Sequence, residues 1–267
     1  MPSPDLPALI ARARTATADA DLATRAVPLL DLTSLRGDES STEIEALCDR
    51  AERHGTAAVC IYRAHLALAR KRLAGGTVRL ATVANFPDGS DDLARAAEET
   101  AAAVAAGADE VDVVAPIQAI RDGDIGLVGE LVEACREAAG ARTTLKLILE
   151  TGSLREPDLI TAAARTAVMA GIDFLKTSTG KAAVGATLEA AALLLAVIEE
   201  AGGRVGFKAA GGIRTAADAA AYLALADAIM GPDWASPRTF RFGASSLLDD
   251  LLRVAGREEA IGTGGSY

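Results

Sequence analysis

Eight short apolar runs, separated by alanine- and leucine-rich stretches, constrain this chain more than any other feature. They are AVPLLDLTSL (26–35), TAAVCIY (56–62), VRLATVANF (78–86), EVDVVAPI (110–117), TLKLILETG (144–152), DFLKTSTG (173–180), RVGFKAAGG (204–212) and TFRFGASS (239–246). Between them lie segments such as DDLARAAEETAAAVAAGA (91–108) and ATLEAAALLLAVIEEAGG (186–203), with Glu and Arg at helical spacing. Gly107, Gly171 and Gly202 follow helical runs, where a C-terminal glycine is favoured. Thr42, Asp91 and Thr215 are expected to cap helix N-termini. Apolar strands alternating with amphipathic helices imply parallel strands buried on both faces. Eight such units predict an α/β fold, a closed (β/α)8 TIM barrel with an extra N-terminal helix. A doubly wound sheet usually has fewer strands and an early glycine fingerprint, which is lacking here. Residues 1–25 read as the helical extension, 26–258 as the barrel, and 259–267 as a flexible tail ending in Tyr267.

The cations are unevenly chosen. Of 27 basic residues only five are lysine: Lys71, Lys146, Lys176, Lys181 and Lys208. Three of them, Lys146, Lys176 and Lys208, lie inside or at the end of strand-like runs. A buried ammonium is costly. Arginine stays charged at any workable pH, whereas a desolvated lysine, or one beside another cation, can lose its proton.

In a barrel of this type the active site lies at the C-terminal ends of the strands. Those ends carry Asp31 and Thr33, Cys60, Asp112, Lys146 and Glu150, Lys176 and Lys208. Alternate residues share a face, so Asp31 and Thr33 point together, as do Glu110, Asp112 and Val114. Charges aimed into one barrel mouth need partners. One reading is a structural ion-pair network. The other is a Schiff-base enzyme. An ordinary lysine, with a pKa of about 10.4, is a free amine in only about one molecule in 2,500 at pH 7. Lowering that value to about 7 requires roughly 4.6 kcal/mol of differential destabilisation of the ammonium. A neighbouring lysine plus partial burial can supply it. Lys176 and Lys208 fall on adjacent runs, which marks Lys176 as a nucleophile.

An anion site is expected on the same rim. Gly211 and Gly212 follow the seventh run, and Ser245 and Ser246 follow the eighth. Phosphate commonly binds there in this barrel class, held by backbone N–H groups at helix starts. Thr179, Gly180 and Lys181 lie at the same mouth, and Arg214 adds charge.

Other classes are disfavoured. The net charge of −10 argues against nucleic acid or an anionic membrane as a partner. No apolar run approaches the ~20 residues of a membrane span, and no signal-peptide pattern is present. Cys48, Cys60 and Cys135 read as reduced thiols of a cytoplasmic protein, with Cys60 a small apolar core residue. Two histidines, His54 and His65, both in helix-like stretches, form no metal-ligand cluster, so no metal is expected.

The motifs LLDLTSL, VCIY, TVANFPDG, GADEVDVV, LILETG, DFLKTSTGK, GFKAAGGIRT, RFGASSLL and the terminal SY together resemble the 2-deoxy-D-ribose-5-phosphate aldolase family. The resemblance runs from about residue 27 to the last residue. It implies that Lys176 forms the Schiff base, that Lys208 perturbs it and takes part in proton transfer, and that Asp112 is an acid/base group acting through a water. It implies that Asp31 supports this network near the substrate's hydroxyl. Thr179, Gly180, Lys181, Gly211, Gly212, Arg214, Ser245 and Ser246 then belong to the substrate and phosphate site, joined by Tyr267 in some members. The implied partners are a phosphosugar and acetaldehyde, with no metal or organic cofactor, in deoxyribose phosphate catabolism. A homodimer is the candidate assembly. Close relatives often carry proline after the seventh-strand lysine, where this chain has Ala209. Rival readings are another Schiff-base phosphosugar aldolase or transaldolase, a pyridoxal-phosphate enzyme, and a non-catalytic phosphosugar-binding protein.

Overall fold

A computed structural model describes residues 5–257. Each of the eight apolar runs contains one strand: β1 (Leu30–Ser34), β2 (Ala58–Ile61), β3 (Arg79–Ala84), β4 (Glu110–Val114), β5 (Thr144–Ile148), β6 (Phe174–Lys176), β7 (Gly206–Ala210) and β8 (Phe240–Ala244). They pair in chain order, all parallel, and β8 closes against β1. The result is a closed, eight-stranded TIM barrel ringed by helices.

The strands alternate in chemistry with period two, and closure turns that alternation into two layers. Leu30, Leu32, Val59, Leu80, Val111, Val113, Leu145, Leu147, Leu175, Phe207 and Phe242 are buried in the main apolar core, which also takes in residues of the surrounding helices. The rings of Phe240 and Phe242 lie 4.8 Å apart edge-on within it. The intervening residues face the barrel axis. Around β2 and β3 these are small and apolar, where Ala58, Cys60 and Ala81 cluster with Leu35. Around β4 to β8 they include six charged residues, Glu110, Asp112, Lys146, Lys176, Lys208 and Arg241. Cys48, Cys60 and Cys135 are all free and buried, and Cys60 packs as the small core residue expected.

Before the barrel stand two helices where one was expected, Leu6–Ala13 and Ala20–Ala26, capped by Asp5 and Asp19. Arg25 holds Asp227 of helix Ala216–Met230 at 2.6 Å, fixing the second of them to the barrel. Thr215 caps that helix with a full capping box to Asp218. The other two caps fall on neighbours of the expected residues. Ser40, not Thr42, caps Ser41–His54, because only Ser40 forms the reciprocal box with Glu43. Asp92, not Asp91, caps Leu93–Ala105, accepting from the Arg95 N–H at 3.0 Å. Gly107, Gly171 and Gly202 all take the left-handed conformation, with φ of 96°, 86° and 79°. Among the described residues, no helix is long and apolar enough to cross a membrane.

Candidate active site

Parallel registry places the charged residues of neighbouring strands side by side. Asp112 pairs with Lys146, Ile148 with Lys176, Lys176 with Lys208, and Lys208 with Arg241. Their side chains meet inside the barrel. Asp112 is the hub: its Oδ1 accepts from Lys146 at 2.6 Å, and its Oδ2 accepts from both Lys176 and Lys208 at 2.8 Å. Lys208 also donates to Asp31 Oδ2, and Arg241 donates to Asp31 Oδ1 at 2.5 Å. Glu110 closes the lower end, contacting Lys146 at 2.6 Å, Arg241 at 3.0 Å and Arg79 at 2.7 Å. Gly243 makes room for this packing, since a Cβ there would stand 2.9 Å from Lys208 Cε.

Four buried cations, Lys146, Lys176, Lys208 and Arg241, thus face three buried carboxylates, Asp31, Glu110 and Asp112. Fully ionised, the ladder carries one surplus positive charge in a medium that tolerates it poorly. The lysines divide accordingly. Burial lowers the Lys176 amine below the ordinary lysine value; Asp112 opposes this and Lys208 adds to it. Desolvation is therefore the leading cause, ahead of the second lysine. Lys208 and Lys146 go the other way. Burial works against their charge, but Asp112 and Asp31 for Lys208, and Asp112 and Glu110 for Lys146, outweigh it and keep both protonated. Burial alone would raise the Asp112 carboxyl, yet Lys146, Lys176 and Lys208 pull it well below the usual carboxylate range. Asp31 behaves likewise through Lys208, Arg241 and Lys146.

A cavity of about 440 Å³ opens above this ladder at the C-terminal ends of the strands. Of the ladder's side chains only Lys176 lines it. Asp112 and Lys208 lie beneath, fully buried. Asp31, expected near a substrate hydroxyl, is also buried below, with both oxygens engaged. Thr33 and Ser34 on the same strand line the cavity in its place. Thr179, Gly180, Lys181, Gly211, Gly212, Arg214, Ser245 and Ser246 all line its rim. Lys181 Nζ donates to the Leu35 carbonyl at 2.5 Å, tying the loop after β6 to the loop after β1. Gly211 needs to be glycine twice over: its φ is +90°, and Gly180 and Gly185 backbone atoms crowd the place of a Cβ. The start of helix Ala216–Met230 is already occupied by Asp218, which accepts from the N–H groups of Arg214 and Thr215 at 2.9 Å. Helix Leu247–Val254, in contrast, has no side-chain cap on Ser246. Among the described residues, the backbone N–H groups at the start of that helix thus have no N-cap side chain to accept from them. Tyr267 lies outside the described residues, as does the tail 259–267.

Sequence reading passed over Arg241 and left Lys146 and Glu110 without a role. The signal was the one that exposed Lys176 and Lys208, a charged residue alternating with buried apolar ones: F-R-F in β8, L-K-L in β5 and E-V-D in β4. Gly185 was also missed. A Cβ there would stand 2.3 Å from the Gly211 carbonyl oxygen, so close loop packing requires a glycine. Ala209 is buried in the outward layer of β7, and its methyl side chain has no hydrogen-bonding atom to offer the charged groups. His54 ends a helix and His65 lies in a 3₁₀ turn, both half-buried. Among the described residues no group of three or more His, Cys, Asp or Glu could hold a metal ion.

The sequence profile of the DeoC/LacD family aldolases matches residues 25–253. The chain belongs to the DeoC/LacD aldolase family. It is thus a class I aldolase, a carbon–carbon lyase. Solved structures agree. A candidate deoxyribose-phosphate aldolase from Coccidioides immitis is 27% identical, with a TM-score of 0.75 over 92% of this chain and 95% of that one. A second such candidate, from Toxoplasma gondii, is 23% identical with a TM-score of 0.82, covering 91% and 97%. The deoxyribose phosphate aldolase of Aeropyrum pernix, described as a tetramer, is 24% identical with a TM-score of 0.69, covering 93% and 97%. The last two show the likeness of fold.

Proposed function

We propose that this aldolase reversibly cleaves 2-deoxy-D-ribose 5-phosphate to D-glyceraldehyde 3-phosphate and acetaldehyde, with Lys176 as the Schiff-base nucleophile. One observation carries the reading: within the buried ladder, the single amine that reaches the cavity is also the one held below its ordinary pKa. The rim of glycines, hydroxyls and Arg214 supports a phosphate at the other end of the substrate.

The neutral Lys176 amine adds to the open-chain aldehyde, and the carbinolamine takes up a proton and expels water, giving a protonated imine. The hydroxyl two carbons from the imine carbon, beyond the CH2 group, gives up its proton towards the Asp112–Lys208 pair, through a bridging water. The bond between the CH2 and the hydroxyl-bearing carbon is the one that breaks, and its electrons move into the imine, leaving an enamine. Glyceraldehyde 3-phosphate departs. The enamine takes a proton on carbon, and hydrolysis releases acetaldehyde and the free amine. The Asp112–Lys208 pair suits the proton traffic because Lys208 bonds the same Asp112 oxygen on which Lys176 rests. Asp31 acts below them by holding Lys208, and Thr179, Gly180, Lys181, Gly211, Gly212, Arg214, Ser245 and Ser246 form the substrate and phosphate rim. We place the reaction in deoxyribose phosphate catabolism in the cytoplasm, which three unpaired buried cysteines favour, and propose a homodimer as the assembly, open to sedimentation analysis.

Borohydride reduction in the presence of acetaldehyde tests the reading. A two-carbon adduct on the peptide bearing Lys176 is expected. An adduct on Lys208 instead exchanges the two roles, and folded protein with neither adduct rejects the Schiff base. Running dihydroxyacetone alongside separates this donor from those of other Schiff-base aldolases and transaldolases.

A further inference from the structure

A cavity larger than the one at the catalytic mouth lies elsewhere in the barrel. It opens at the opposite end of the barrel, has a volume of about 770 Å³, and is walled by the N-terminal ends of the strands. Five arginines line it against two carboxylates, Glu110 and Asp173, a local surplus of three positive charges in a chain whose net charge is −10. Two of the five are committed: Arg79 and Arg241 both bond Glu110. The other three, Arg142, Arg204 and Arg238, have no side-chain hydrogen bond or ion pair among the described residues and stand exposed on the rim. Asp173 does not neutralise them, since it is held by Arg136 at 2.5 Å. Thr77 and Thr144 line the same space, while the Thr56 and Thr143 hydroxyls already donate to the Ala58 and Ala139 carbonyls. Phe174 closes the floor: its ring occupies the place a side chain at Gly206 would take.

We infer that the base of the barrel is a second ligand site, separate from the catalytic mouth, for a small phosphorylated organic molecule. Guanidinium forks are the donors that a phosphate's oxygens demand. Unpaired arginines concentrated on one concave surface draw a polyanion to it. The cavity is of the size that holds a metabolite rather than a bare ion.

Inorganic pyrophosphate is the probe, titrated calorimetrically into the full-length protein. Two sites per chain are expected, one at each end of the barrel. The triple variant Arg142→Ala/Arg204→Ala/Arg238→Ala should retain one and bind the second at least tenfold more weakly. Its far-UV circular dichroism should match the wild type, because all three side chains are exposed and unpaired. As a second arm, Arg214→Ala should weaken the mouth site and leave the basal site intact. A single wild-type site that the triple variant keeps undiminished, or two undiminished sites in the triple variant, overturns the inference, whereas a single site lost in the triple variant supports it and counts against the mouth site alone. Either result is independent of whether Lys176 forms a Schiff base.

Discussion

Lys176 and Lys208 donate to the same oxygen, Oδ2 of Asp112, each at 2.8 Å, yet their proton affinities move in opposite directions. The difference lies in what else each one touches. Lys208 has a second carboxylate, Asp31, while Lys176 has only Asp112 and faces the cavity. When a crowded, desolvated cluster must shed one proton, it comes from the amine with the fewest compensating charges. That amine is also the one that lines the cavity.

Replacing Lys176 by arginine should abolish cleavage. Arginine keeps a cation near Asp112, but it cannot become a neutral nucleophile or form the imine. Turnover of deoxyribose 5-phosphate in a coupled assay should fall to background. Appreciable activity in this variant sinks the assignment.

Asp112→Asn removes the one carboxylate that Lys146, Lys176 and Lys208 share. Breaking a buried charge network from one side costs about 3–5 kcal/mol, so the urea midpoint should drop markedly. The Lys176 amine should also lose its proton more readily, because Asp112 is the strongest influence holding it there. The acid limb of the pH–rate profile should therefore move to lower pH while kcat falls. A variant that kept both kcat and stability would show the carboxylate to be dispensable.

The pH dependence of stability follows from the directions of these shifts. Asp31 and Asp112 titrate in the folded protein below the ~3.9 of a free aspartate. Their stabilisation is complete above that value and is lost as pH falls below it, where the unfolded chain binds protons first. Lys176 has the opposite consequence. Its folded pKa lies below about 10.4, so the unfolded chain binds more protons in between, and stability rises with pH across that window. Wild type should accordingly gain on Lys176→Met as the pH is raised towards 10.4 in chemical denaturation. A constant difference between the two proteins would contradict the lowered amine.

Arg214 lies on the rim and lines the cavity, its side chain without a hydrogen-bond or ion-pair partner among the described residues. Arg214→Ala should raise KM for the phosphorylated sugar about tenfold, equivalent to ~1.4 kcal/mol, with kcat little changed. Non-phosphorylated 2-deoxyribose should be processed as well as before. An equal loss for both sugars would place Arg214 outside the phosphate site.

Much of this protein is written in local pattern. The period-two alternation of D-L-T, E-V-D-V-V, L-K-L and F-L-K, punctuated by helices with positive-φ glycines, specifies eight parallel units and marks which residues face inward. It singles out Lys176, Lys208 and Asp112, because a charge in a buried strand is costly unless it is paired or put to chemical use. Tertiary structure alone decides the rest. Arg241 and Glu110 lie 131 positions apart, and only barrel closure and registry bring both against the lysines. Asp31 and Thr33 share a strand face in sequence, but the stagger of the barrel buries the first and leaves the second in the cavity wall. Which of three buried lysines gives up its proton is likewise a long-range matter. It depends on how many carboxylates each nitrogen reaches and on its distance from solvent, and both are set by strands that are remote in the chain.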